Sequence, residues 1–459
     1  MSLPAALGND AEGVSPNKGT AHRSNISSNV YGTKRWQIVI YYNPDLYVVM
    51  AKRALPNGPW TSFVYNGTNG LPTLQLAAYD DSHKNTSCAI DSDGYVHMQW
   101  DGNRVWDDVN LKYRRSTVTI DQWQGQLTNN LAMTGYAGEG NLNYPTFFFD
   151  PVGNLYFTYR DGVASSADQI LNRYDTATET WSGVGATNGR IINGKTNDSV
   201  YMNIVPMFSD DWDGAGTGRM WVVWTWRYSE DVTDYFDIMA MYWTGVGTTW
   251  KKPNGTAQTI PATVANATAI HEADDREQGK WIQTSSRDFA CSADGTKIMV
   301  TFLEREFDGP NVVQTNRILL VDNGVVTLGT YEGAQCRTVW DQVDEKFKYF
   351  EGDNGTISFL EQTTGVGRTA KTAIGNFYGN GATSTSYSPF FWDRNLLKQT
   401  GRLQALRIPS QQLSVTPDVV EIGSLVKKDL PPMDFGGNTF TPTLRYNNGA
   451  ATLLTFRPR

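Results

Sequence analysis

Histidine and cysteine are scarce in this chain. Among 459 residues there are four histidines, His22, His83, His97 and His271, and three cysteines, Cys88, Cys291 and Cys336. The cysteines are odd in number and far apart, with no C-x-x-C pair and no Cys/His spacing of a metal site. That excludes a zinc module and a disulfide framework as organising features, and leaves buried free thiols as the expectation. Neither a cofactor nor a catalytic metal is expected; only a structural ion stays compatible with the pattern. Charge is also low, at 19% of residues, with 39 basic against 47 acidic side chains and a net charge of −8. No long Lys/Arg cluster interrupts this acidic balance, so the chain repels phosphate backbones and nucleic-acid binding is not expected. Apolar runs of about 18 residues are missing, which excludes a transmembrane helix. The opening "MSLPAALGNDAEG" has neither a basic n-region nor a long apolar stretch. No secretory leader is therefore visible, and the expected location is extracellular or on a surface assembly such as a virion.

What the chain does have is aromatic residues and glycine. There are 15 Trp, 22 Tyr and 43 Gly, a bias that suits many short strands joined by tight turns, and surfaces that stack on sugars. Four strand-like stretches each end in a polar turn and a tryptophan, at Trp60, Trp123, Trp181 and Trp250, spaced 63, 58 and 69 residues apart. A second series interleaves with the first. Turns at Gly94, Gly153, Gly218 and Gly295 each open an alternating strand, at spacings of 59, 65 and 77. Two interleaved series with one period describe a unit of about four strands, and such units repeated around an axis are propeller blades. The expected fold is all-β, a seven-bladed β-propeller of four-stranded blades over residues 35–459. Residues 1–34, rich in Ser, Asn and Gly, are expected to form a flexible N-terminal arm that another protein chain could order. The four tryptophans are expected to pack between sheets, and His97, inside an alternating strand, to be structural.

Three stretches carry a resemblance: "DDSHKNTSCAIDSDGYVHMQWDG" (80–102), "YPTFFFDPVGNLYFTYRDGVASSADQILNRYDTATETW" (144–181) and "GRMWVVWTWRYSEDVTDYFDIMAMYWTGVGTTW" (218–250). They resemble the BNR-repeat propellers that include ulvan lyases. The resemblance covers residues 36–250 well and is weak beyond. "TGVGTTW" resembles a degenerate Asp-box, a structural turn of such propellers.

The resemblance implies a polysaccharide lyase that cleaves glycans containing uronic acid by β-elimination. That chemistry needs a cation to neutralise the uronate carboxylate, a base for the C5 proton and an acid for the leaving O4. By position, the family histidine falls on His83, the tyrosine on Tyr144, and the arginine on Arg160, sixteen residues after that tyrosine. The family's second histidine has no counterpart, because Gly102 and Asn103 stand there; Asn103 is assigned to substrate binding. Tyr144 then serves as both base and acid. Arg173 and Arg227 are candidates for holding further anionic sugars, and Tyr201 and Trp226 for stacking on sugar rings. The expected partner is an anionic polysaccharide. The missing histidine leaves a second class of function, a non-catalytic glycan-binding propeller such as a receptor-binding part of a phage tail. A sialidase is weaker, since its arginine triad has no clear place here, and a protein-interaction scaffold is the fallback that fold alone allows.

Overall fold

A computed structural model describes residues 26–376, apart from 43–44, 56–57, 77–85, 102–110, 135–141, 186, 196–197, 203–205, 231–233, 273–279, 284–288, 309–310, 332–334, 342–344, 354–355 and 370–371. Beyond residue 376 it describes the strands Phe390–Trp392, Arg402–Arg407, Asp418–Ser424, Thr443–Asn447 and Ala450–Thr455. The architecture is all-β. Among the described residues the one helical element is the 3-10 turn Thr187–Gly189, so no helix is long and apolar enough to cross a membrane.

The sheets follow one another along the chain, and neighbours in sequence are mostly antiparallel neighbours in space. A four-stranded meander runs from Ile26–Tyr31 through Lys34–Tyr42 and Val48–Leu55 to Thr61–Val64. A three-stranded sheet covers Ser87–Ile90, Tyr95–Gln99 and Tyr113–Thr119. Residues 142–271 form one twelve-stranded sheet. It arises because two successive hairpin units are joined by the parallel pair of Ala167 with Ser199. Five- and four-stranded sheets follow over 280–330 and 335–376. Among the described residues the sheets differ in size and two repeats merge, so they do not display the uniform set of four-stranded units read from the period.

The core lies between the sheets. Every residue of the strand Met220–Arg227 is buried. Its even positions, Met220, Val222, Trp224 and Trp226, pack with Phe148, Tyr156 and Leu171 of the preceding unit. Its odd positions Trp221 and Val223 pack with Phe289, Ile298 and Val300 of the following one. The same interleaving joins the first two sheets through Ile38, Ile40, Cys88 and Val96, and the second and third units through Ala89, Tyr113, Phe147 and Phe157. A strand covered on both faces reads as a continuous apolar run, as "MWVVWTW" does. Trp123, Trp181 and Trp250 belong to these inter-sheet cores, and Trp60 is buried with the Arg53 guanidinium 4.7 Å above its ring. The tryptophan series is thus a packing series. Cys88 and Cys291 are buried thiols.

The arm is shorter than its composition suggests. Residues 26–31 pair along their whole length with the strand Lys34–Tyr42. Ser27, Ser28 and Asn29 are buried, and Asn29 donates to the Ile90 carbonyl of the second sheet. Small polar side chains do not prevent a segment from closing a sheet edge, because the ladder is made by backbone groups. Residues 1–25 lie outside the described residues.

His97 is fully buried, with Nδ1 2.7 Å from the Tyr113 hydroxyl and Nε2 3.0 Å from Asp91. The Asp91 carboxylate also accepts the Tyr95 amide, so this network staples the turn that holds Gly94. Gly94 has φ 83°, and a Cβ there would meet the Tyr31 ring at 2.5 Å; only glycine satisfies both demands.

Candidate functional site

Two strands carry the same three-residue pattern, and both arginines point to one place. Thr158-Tyr159-Arg160 lies in Leu155–Val163, and Thr225-Trp226-Arg227 closes Met220–Arg227. Each threonine hydroxyl donates to a carbonyl of the next strand, Ile170 at 2.7 Å and Phe236 at 2.9 Å. Tyr159 and Trp226, between threonine and arginine, turn into the inter-sheet cores. The arginines take the opposite side.

Tyr144 reaches Arg160 through a defect in its strand. Asn143 pairs with Arg160, but Thr146 pairs with Thr158, so the strand Leu142–Phe149 carries one extra residue there. This is a β-bulge, the device that re-aims a side chain at a strand end. Tyr144 sits in it with φ 53°, a left-handed conformation that costs a non-glycine residue about 1 kcal/mol or more. The Arg160 guanidinium lies 5.0 Å from the Tyr144 ring centre and 4.2 Å from that of Tyr201. A second bulge lies across the site, where Asp237 at φ 51° shifts the register of the strand Tyr235–Trp243. It leaves Tyr235 opposite Arg227, with the Arg227 guanidinium 5.4 Å from the Tyr235 ring and 5.5 Å from the Tyr201 ring. Tyr201 also packs edge-on against Tyr235 at 4.9 Å.

The result is two guanidinium groups interleaved with three tyrosines. Arg160, Tyr201 and Arg227 are buried, while Tyr144 and Tyr235 are partly exposed. Burial, followed by the Tyr201 and Tyr144 hydroxyls, pushes the Tyr235 phenol far up, and the pull of the two arginines does not reverse it. The neutral form of the Tyr235 phenol is thereby favoured. For Arg227 burial pulls downward, but the Tyr201 and Tyr235 hydroxyls outweigh it and the group is held more firmly charged.

The two arginines differ in their partners. Arg227 donates through Nη1 to the Tyr201 hydroxyl at 2.8 Å and through Nη2 to the Glu230 carbonyl. Arg160 Nε and Nη1 are buried with no hydrogen-bond partner. The neighbouring acids are engaged elsewhere: Asp161 with Lys195, and Asp175 with the Ala177 amide. A buried guanidinium with unused donors is costly in a folded chain, and its donors are fitted to the planar fork of a carboxylate or sulfate.

The structure thus brings Tyr144, Arg160, Tyr201 and Arg227 together. It adds Tyr235, which the sequence did not single out; its only signal was its place opposite Arg227, and that depends on the Asp237 bulge. Trp226 is a correction. It is fully buried and packs edge-on against Trp224, so it offers no face to a sugar. Arg173 is likewise removed from the group: it pairs with Tyr156, whereas Arg160 pairs with Gln169, which places Arg173 four residues, about 13 Å, along the strand. His83 and Asn103 lie outside the described residues. Among the described residues no group of three or more His, Cys, Asp or Glu side chains could hold a metal ion.

Comparison with solved structures finds likeness over nearly the whole chain. The polysaccharide lyase Uly1 aligns at 18% identity over 90% of this chain and 93% of its own, with a TM-score of 0.61. A PL25 ulvan lyase aligns at 12% identity over 91% and 95%, with a TM-score of 0.62, and the same holds for its structure bound to -[GlcA(1-4)Rha3S]-. At these identities the likeness is one of fold, all-β and propeller-like. No curated protein matches the chain in sequence. The description of BNR repeat-containing family members does match, over residues 36–308, a span that holds every strand of the arginine–tyrosine cluster. On that match, the chain belongs to the BNR repeat-containing family.

Proposed function

We propose that this protein is a carbohydrate-active propeller of seven blades that cleaves an anionic, uronate-containing polysaccharide by β-elimination. The observation that carries the proposal is the Arg160 guanidinium, buried with Nε and Nη1 unpartnered and flanked by the Tyr144 and Tyr201 rings. In this reading Arg160 pairs with the uronate carboxylate. It places a fixed positive charge where negative charge grows as the C5 proton leaves. The Tyr144 oxygen, entering the step as the phenolate, takes that proton, the C5–H electron pair forms the C4–C5 double bond, and the C4–O4 bond breaks. The proton passes from Tyr144 to the departing O4, so that one tyrosine serves both steps. Tyr201 and Tyr235 add hydroxyls and ring edges for sugar contacts. His83 is assigned a supporting part in this chemistry from the family motif. A polymeric substrate of this kind is met outside cells, in keeping with an extracellular or surface location.

A second reading, glycan binding without cleavage, is favoured by one observation: Gly102 and Asn103 stand where a lyase of this family has a histidine. One experiment separates the two. The protein is incubated with ulvan, alginate, glycosaminoglycans and bacterial capsules, and the conjugated double bond of the product is followed in the ultraviolet. The lyase reading expects new absorbance with at least one glycan, abolished in Tyr144→Phe. Binding with no absorbance from any glycan leaves the binding module. A wild type that neither cleaves nor binds any of them refutes both.

A further inference from the structure

Arg160 and Arg227 occupy equivalent positions in successive repeats, each two residues after a threonine that donates to the next strand. Equivalent positions do not have equivalent duties. The donors of Arg160 are open, whereas those of Arg227 are taken by the Tyr201 hydroxyl and the Glu230 carbonyl. Both guanidinium groups flank the same ring, Tyr201, at 4.2 and 5.5 Å. We infer that Arg227 is a positioning residue rather than a second anion-binding cation: it holds Tyr201 against Arg160 and directs the Tyr201 proton toward the ligand. The inference rests on the reading of Arg160 as the group that meets the glycan.

The argument is one of hydrogen-bond directions. Arg227 can only donate, so the Tyr201 oxygen accepts that bond and its own O–H must donate elsewhere. Its protein acceptor is the Ala164 carbonyl at 3.4 Å, well beyond the usual distance for an O–H donor. A sugar oxygen arriving at ordinary hydrogen-bond distance replaces that contact at little cost. Meanwhile the Tyr201 ring is fixed at two points, by the Arg227 bond on its oxygen and by its edge-to-face packing with Tyr235. A fixed ring fixes the plane of the Arg160 guanidinium beside it. That is what a carboxylate needs, since its two oxygens meet the fork only in one orientation. The Glu230 contact ties the same arginine to the loop after its strand, so Arg227 joins loop, ring and binding cation in one chain of contacts.

The test has a structural arm and a kinetic arm. In a crystal structure of Arg227→Met, Tyr201 is expected to leave its place against Arg160; Arg227→Gln replaces this variant if the first does not fold. A Tyr201 ring that stays in place overturns the inference, whether or not the protein cleaves any glycan. In turnover assays Arg227→Met is expected to lower kcat by about 10- to 100-fold, the scale of a small misplacement, with KM changed less than about threefold. In a Tyr201→Phe background the same substitution is expected to add less than about twofold, because residues that act through one another are not additive. Arg227→Lys is expected not to rescue, since one ammonium does not replace two fixed donors. Additive losses, or a raised KM restored by Arg227→Lys, make Arg227 a direct anion contact and overturn the inference. A wild type inert toward every glycan defeats the proposed function instead, and the Tyr201 position in the variant still decides the inference.

Discussion

Replacing Arg160 by methionine is expected to disable the site without weakening the fold. Methionine keeps most of the unbranched stem and removes the charge. Two buried donors of Arg160 lack partners, each at a cost of about 1–3 kcal/mol. The guanidinium recovers part of that from the Tyr144 and Tyr201 rings, 5.0 and 4.2 Å away, at about 0.5–2 kcal/mol each. At mid-range, about 4 against about 2.5 kcal/mol, Arg160→Met comes out about 1–2 kcal/mol more stable than wild type. An arginine in a satisfied buried ion pair behaves oppositely, and losing it costs about 3–5 kcal/mol. Guanidinium chloride unfolding, followed by tryptophan fluorescence, measures the difference. The expected result is an unchanged or raised midpoint at constant slope, together with lost glycan cleavage or binding. A loss of more than about 2 kcal/mol refutes the reasoning, because it means that Arg160 is held by the protein and is not kept open for a ligand.

Three further outcomes follow from the packing and the charges. Trp226→Ala is expected to cost about 3–5 kcal/mol, since the side chain is fully buried; denaturation measures it, and a near-neutral effect would restore Trp226 as a surface aromatic. His97→Leu is expected to destabilise by about 2–4 kcal/mol, because it removes the ring that bridges Tyr113 and Asp91; a stability within about 0.5 kcal/mol of wild type contradicts the network. The Glu304 carboxyl is held down to about 2, first by its hydrogen bond to His271 and then by Arg317. A depressed carboxyl stabilises the fold above its unfolded value of 4.5 and loses that contribution as pH falls from there toward 2, worth about 1–2 kcal/mol after solvent screening. Glu304→Gln should flatten this acid limb in pH-dependent unfolding, and an unaltered limb assigns it to other groups.

The repeat was legible because its markers answer local demands. A hairpin turn such as that at Gly94 requires a positive φ, and a tryptophan such as Trp123 or Trp250 is too large to leave between strands without burying it. Arg160 follows an apolar run, where a charge must find a partner or a cavity, and it lies against the Tyr144 and Tyr201 rings. The arm boundary misled because Ser27, Ser28 and Asn29 look like linker residues, yet their backbone closes a sheet edge. Trp226 misled because alternation along a strand distinguishes inside from outside only when one face is wet. Met220–Arg227 is buried throughout, so parity there chooses between two cores.

The different duties of the two arginines could not be read in the sequence, and the reason is geometric. "TYR" at 158–160 and "TWR" at 225–227 share a residue pattern and a threonine hydroxyl bonded to the next strand. What separates them arrives from other segments: Tyr201 from a short strand paired with Met220–Arg227, and the Glu230 carbonyl from the loop beyond it. No comparable oxygen reaches Arg160 Nε or Nη1 among the described residues. The Asn143 side chain on the paired strand donates instead to the Gly162 carbonyl, and the bulge turns Tyr144 toward Arg160 as a ring rather than as an acceptor. A repeat supplies the same cation twice; the bulges and the joining segments decide which one is satisfied and which keeps unpaired donors. In a propeller-like fold that is where specificity resides, since strand ends are held rigidly by the inter-sheet cores while the segments joining them are free to differ.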